Sequence, residues 1–222
     1  MAEIIKINLR KLCTCIGLIL QLSLLACAPA EVNQNDHTHF YDGGQLSAYT
    51  NQEQCILLLN GEINSDLEWL IGLALAELSA KQCKQKIVLL QSHGGDVHSA
   101  MQIGRLLRKN QIIAHINEVC DSACGLVFIG GSQRTVSLAV PHKDGSRIGI
   151  HQAKSFSGLR HCLATREVNP LLLGEIKSYL RTMLPKEGAD SYYRALMTAP
   201  CVGMEYLSAD FLLKKGIATS AE

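Results

Sequence analysis

Two residues of this 222-residue chain could carry out acyl transfer if the fold brought them together, Ser122 and His151. Ser122 follows an apolar run and opens a short apolar segment, VCDSACGLVFIGG. A serine there projects its hydroxyl from the C-terminal edge of a strand, where sites gather in parallel sheets. The positive end of a following helix would favour an oxyanion developing beside it. The same position also suits an ordinary helix-capping serine. His151 closes the segment RIGIHQ. Alone at a strand end, a histidine is commonly just a packed or solvated imidazole. Acyl transfer, however, needs a serine and an imidazole in contact, and such pairs come from far apart in sequence. Gly94-Gly95 is the third element. A close backbone approach there could offer an N–H to a carbonyl oxygen, although it also reads as a tight strand-to-helix turn.

The elements that must position these residues alternate between strand and helix. CILLLNGEI (55–63) is a continuous apolar run that reads as a strand buried on both faces. Ser65 to Glu68 reads as a capping box with Ser65 as N-cap. Leu67, Leu70, Ile71, Leu75 and Leu78 then recur at helical spacing. A second strand, KIVLLQS (86–92), leads into the two glycines and a helix with Val97, Met101, Gly104 and Leu107 on one face. IIAHINEV (112–119), TVSLAV and RIGIHQ read as further strands, and SACGLVFIGG as a short buried helix. Such repeats predict parallel strands joined by right-handed crossovers. Helices follow over about 169–184, 188–199 and 208–215, the last capped by Ser208 and closed by Gly216, before a short terminal strand (IATS).

Export is written at the start of the chain. Lys6, Arg10 and Lys11 precede an apolar stretch from Cys13 to Ala26, the build of a secretory signal. The stretch falls short of the ~20 residues that span a bilayer. Leu24-Leu25-Ala26-Cys27 looks like a bacterial lipobox, which marks Cys27 for lipidation. The expected location is the bacterial cell envelope, periplasmic and anchored to membrane by lipid. Residues 27–52 are polar and turn-rich and read as a tether or loosely ordered arm, leaving 53–222 as the domain. His37 and His39 in that arm read as solvated, so no metal is assigned.

Loss of Lys6, Arg10, Lys11 and Glu3 with the signal takes the formal net charge from +1 to −1. That balance leaves no basic footprint for nucleic acid. Six cysteines remain in the domain, Cys55, Cys83, Cys120, Cys124, Cys162 and Cys201, an even number in an oxidising compartment. Cys55–Cys83 is the preferred pair, since each lies close to the start of a parallel strand.

Taken in order, IVLLQSHGGDVHSAMQIGRLL, VCDSACGLVFIGG and IGIHQA resemble the core of the Clp protease proteolytic subunit. LSADFLLKKGIATS resembles that family's closing segment, so the likeness spans about residues 55–216. The resemblance implies an α/β fold of Clp protease/crotonase type: a spiral of ββα units, a mostly parallel sheet and a C-terminal helical part. It also implies Ser122 as nucleophile, His151 as general base, and the amides of Gly95 and Ala123 as oxyanion hole. No cofactor is implied.

Three departures stand out. His93 replaces a proline of the family's turn, which should alter only that turn. Cys120 and Cys124 flank Ser122 and could brace it through a disulfide, geometrically demanding over so short a span. Met204 falls where the family keeps its aspartate. Glu205 next door could take that role, or the site could work as a serine–histidine dyad, or it could be inactive. The readings are therefore an ATP-independent exported serine hydrolase acting on peptides or proteins, a catalytically impaired scaffold or peptide-binding lipoprotein, and crotonase-like acyl-CoA chemistry. Export argues against the last. Assembly into a homo-oligomer would use residues 154–200, the place of the family's helical handle, where the match is poor.

Overall fold

The computed structural model describes residues 34–50, 53–81, 83–138, 145–152, 170–200 and 203–221. The signal segment, Cys27, Cys162 and Cys201 lie outside them. The elements are β1 (Gln34–Tyr41), β2 (Gly44–Thr50), β3 (Gln54–Gly61), α1 (Ser65–Ala80), β4 (Gln85–Ser92), α2 (Val97–Lys109), β5 (Ile113–Asp121) and α3 (Cys124–Gly130). They continue with β6 (Gln133–Val136), β7 (Arg147–Ile150), α4 (Pro170–Met183), α5 (Lys186–Thr198), β8 (Glu205–Ser208), α6 (Ala209–Lys214) and β9 (Ser220–Ala221).

Among the described residues, nine strands form one sheet in the order β1-β2-β3-β4-β5-β6-β9, with β7 paired to the end of β5 and β8 to β7. From β3 to β6 the strands run parallel, as the strand–helix alternation predicts. β7 is parallel to β5, and β8 returns antiparallel on β7. β3 is fully buried only at alternate positions, Cys55, Leu57 and Leu59. Ile56 and Leu58 between them are half-buried, so the strand expected to be covered on both faces is closed completely on one.

Residues 34–50, read from sequence as part of an arm, form a hairpin that extends the sheet antiparallel to β3. Asp42-Gly43 is its two-residue loop, with Gly43 at φ +95°, a signal for a hairpin that the polar composition obscured. Asn64 ties the hairpin to the first helix. Its Nδ2 donates to Asp42 O at 2.7 Å, and its Oδ1 accepts from Leu67 N at 3.0 Å. Asn64 is therefore the N-cap, and Ser65, the expected cap, is the first helical residue. Leu67, Ile71, Leu75 and Leu78 point into the core as their spacing predicts.

Every residue of α3 is buried. The last carbonyls of a helix lack intrahelical donors, and here two arginines supply them. Arg108 donates to Ile129 O, Gly130 O, Gly131 O and Met183 O. Arg134 donates to Gly131 O, Gly216 O and Ile217 O. Burial first, and the neighbouring Arg108 second, lower the Arg134 pKa to about 10. Two cations at its C-terminal end complement the helix dipole.

α2 crosses α3 where two glycines face each other. A Cβ on Gly130 would run into the Cα of Gly104, and one on Gly104 into the Tyr179 hydroxyl. Gly130→Ala is expected to destabilise the domain by about 1–3 kcal/mol, because a backbone cannot yield as a flexible side chain can. Urea unfolding measures this, and an unchanged midpoint would show that the helices separate freely.

Candidate active site

The turn from β5 into α3 is made at a single residue. Ser122 has φ +54°, a left-handed conformation that a residue with a Cβ seldom adopts. Three restraints hold it. Its N–H donates to Gly149 O of β7 at 2.6 Å, and its carbonyl accepts from Gly125 N at 3.1 Å. Cys120 and Cys124 form a disulfide around it, with Cα atoms 5.1 Å apart. The bond that looked demanding from sequence spacing is met because the left-handed turn folds the chain back on itself.

The glycine turn after β4 packs against this elbow. A Cβ on Gly94 would lie 2.7 Å from Ser122 Cβ and 3.0 Å from Ala123 N, and Gly94 sits at φ +102°. No other residue type fits there without strain. Gly94 N–H donates to Ser92 Oγ at 3.0 Å, while Ile63 N and Asp96 N use the carbonyls around Gly95. That leaves the N–H groups of Gly95 and Ala123 without a hydrogen-bond partner among the described residues. Unused amides beside a serine are the kind of donor that an oxyanion hole requires.

Ser122 and His151 line one cavity of about 40 Å³, walled by Val97, Leu126, Ile150, Ile176 and Leu196. Tyr192 closes it, and burial holds its phenol pKa well above the ordinary value. His151 Nδ1 lies 2.6 Å from Gln152 O. A carbonyl can only accept, so Nδ1 carries the hydrogen and Nε2 of the neutral ring is the basic nitrogen. No hydrogen bond joins Ser122 Oγ to His151 among the described contacts; such bonds often tighten only when substrate binds.

Glu205 does not join the pair. It is paired with Ile150, not with His151, and lines a separate groove with Arg194, Tyr206 and Lys215. Continuing the same register sets Met204 opposite His151, so no carboxylate stands on β8 across from the ring. The acid closest in sequence to the serine is Asp121, which sequence reasoning passed over. Its side chain is 10% exposed; one oxygen lies over Gly149, beside Met204 Cγ, and the other is 3.1 Å from His93 Nδ1. His93 thus does more than alter a turn. The signal was present in the chain as a titratable residue in a position that should need none.

Cys55 and Cys83 form the preferred disulfide, with Cα atoms 5.7 Å apart. His37 and His39 stand exposed on β1 with ring centroids 6.4 Å apart. No group of three or more metal-ligating side chains occurs among the described residues, and none of their helices is long and apolar enough to cross a membrane.

No family model matches the sequence, and no curated protein matches it. Solved structures do. The chain is similar to a serine-to-alanine mutant of the 1510-N membrane-bound stomatin-specific protease, with a TM-score of 0.59 and 15% identity over 78% of this chain and 80% of that one. It is equally similar to a lysine-to-alanine mutant of that protease in complex with a substrate peptide, with a TM-score of 0.59 and 16% identity over 78% and 76% of the two chains. At these identities the likeness shows the fold, which is the Clp protease-like α/β fold.

The two disulfides should separate in an unfolding experiment. Cys55–Cys83 closes a span of 28 residues and Cys120–Cys124 a span of 4. Chain-entropy arithmetic gives about 3.6 and about 2 kcal/mol respectively. Replacing each pair by alanine should therefore cost more stability at 55/83 than at 120/124, read as the fall in urea midpoint. Equal falls would show that span does not set the contribution of the two bridges.

Proposed function

We propose that this protein is an exported serine hydrolase, a peptidase, in which Ser122 is the nucleophile and His151 its general base. The observation that carries this reading is the shared cavity: the strained Ser122, Ala123 with its unused amide, and the His151 imidazole line one space, and the glycine turn that bears the Gly95 amide packs against the serine. Ser122 Oγ would attack the substrate carbonyl carbon while His151 Nε2 takes its proton. The carbonyl oxygen would become an oxyanion held by Gly95 and Ala123 N–H, and His151 would return the proton to the leaving amine. Water then releases the acyl group by the same steps in reverse.

The structurally similar protease was solved with a substrate peptide, which favours a peptide here, and the apolar cavity walls suit an apolar side chain. A lysine was the mutated residue in that structure. Among the described residues lining this cavity, His151 alone has a nitrogen side chain, which favours histidine as base. Gln152 O orients the ring in place of a carboxylate. The reading needs no cofactor, nucleotide or nucleic acid. The N-terminal segment supports export and lipidation at Cys27, which would tether the enzyme, and a homo-oligomer built through 154–200, on the envelope side of a membrane.

A second reading, a catalytically impaired scaffold that binds peptides, is favoured by Met204 at the position where the resembled family keeps its aspartate. The two separate with an alkyl fluorophosphonate. The hydrolase reading expects covalent labelling of the mature protein, abolished in Ser122→Ala and slowed by roughly 10⁴-fold or more in His151→Ala. Glu205→Gln should label as the parent does. Folded protein that never labels would favour the scaffold.

A further inference from the structure

We infer that His93 and Asp121 are positioning residues that clamp the two halves of the oxyanion hole together, a role that rests on the hydrolase reading above. The two unused amides belong to different turns. Gly95 N–H lies on the turn after β4, and Ala123 N–H on the turn after β5. An oxyanion can be held by both only if the turns keep a fixed spacing, and misplacement of about 1 Å can cost ~10²-fold in rate. Among the described residues, one side-chain hydrogen bond links the turns. His93 Nδ1, two residues before Gly95, reaches Asp121 Oδ2, two residues before Ala123, at 3.1 Å.

The clamp is asymmetric in a way that suits this role. His93 is 86% exposed and Asp121 10% exposed. The carboxylate is fixed by its surroundings, wedged over Gly149, where only glycine leaves room for it. Gly149 O in turn holds Ser122 N–H. The imidazole comes to the carboxylate from the solvent side and carries the glycine turn with it. His93 is the one hydrogen-bond partner of the Asp121 carboxylate among the described residues. Without it, a nearly buried charge must find water, which favours opening of the seam between the turns. The β4–β5 ladder ends at Ser92 and Cys120, one residue before the bonded pair. Beyond it, backbone contact at Gly94 sets a minimum distance between the turns, and the side-chain bond sets a maximum.

Since Nδ1 donates, an asparagine amide, whose Nδ2 overlays that atom, should replace it, whereas alanine cannot. The test uses the mature protein, His93→Ala and His93→Asn. The saturating rate of phosphonylation of Ser122 by an alkyl fluorophosphonate (oxygen–phosphorus bond formed, fluoride lost) should fall about tenfold in His93→Ala, with the probe's KI unchanged. It should recover in His93→Asn. In parallel, the Gly95 and Ala123 amide signals in nitrogen–proton correlation spectra should shift in His93→Ala and return in His93→Asn. Unmoved amides in His93→Ala, or failure of asparagine to restore them, would overturn the clamp. Amides that follow the clamp in a protein that never labels would keep it and overturn the hydrolase reading instead.

Discussion

The left-handed backbone at Ser122 is the constraint on which the rest of the site depends. A residue with a Cβ in this region costs on the order of 1–3 kcal/mol, and it persists only where surrounding structure fixes it. The surroundings do so from several directions. β7 pairs with the end of β5 at Cys120 and Asp121 and receives the Ser122 N–H on Gly149. The Cys120–Cys124 bridge closes the elbow, and Gly94 fills the space against its Cβ. At the far end of α3, Arg108 and Arg134 hold the helix by its carbonyls. Buried helix, sheet pairing and disulfide all converge on one dihedral angle.

Histidine orientation comes from the backbone here. A carbonyl at 2.6 Å fixes the tautomer of His151. It lends less stabilisation to the imidazolium than a buried carboxylate would. In the proposed hydrolase the amides would carry correspondingly more of the transition-state stabilisation, and the spacing of the glycine and serine turns would gain importance. Negative charge is present near the elbow, but Asp121 spends it on His93 and not, in this conformation, on His151.

Much of this architecture is legible in the chain, for identifiable reasons. Apolar runs mark β3, β4 and β5, and helical spacing marks α1 and α2, because burial imposes those periods. Ser122, His151 and the glycine turn stand out through the resemblance of their segments, in order, to the Clp protease proteolytic subunit. The hairpin at 34–50 was hidden because an edge hairpin with exposed His39 and Phe40 buries little apolar surface. Glu205 looked available because its neighbour Met204, not its register on β7, was the visible fact. Asp121, His93 and the two helix-holding arginines were hidden for a common reason. Their partners are a side chain or backbone carbonyls tens of residues away, and no local pattern encodes such contacts.

The most direct test of the account is a crystal structure of the mature protein after reaction with an alkyl fluorophosphonate. The account predicts phosphorus bonded to Ser122 Oγ and a phosphonyl oxygen about 2.7–3.1 Å from both Gly95 N and Ala123 N, with His151 Nε2 facing the serine oxygen. A phosphonyl oxygen turned to solvent, or an adduct on any other residue, would contradict it.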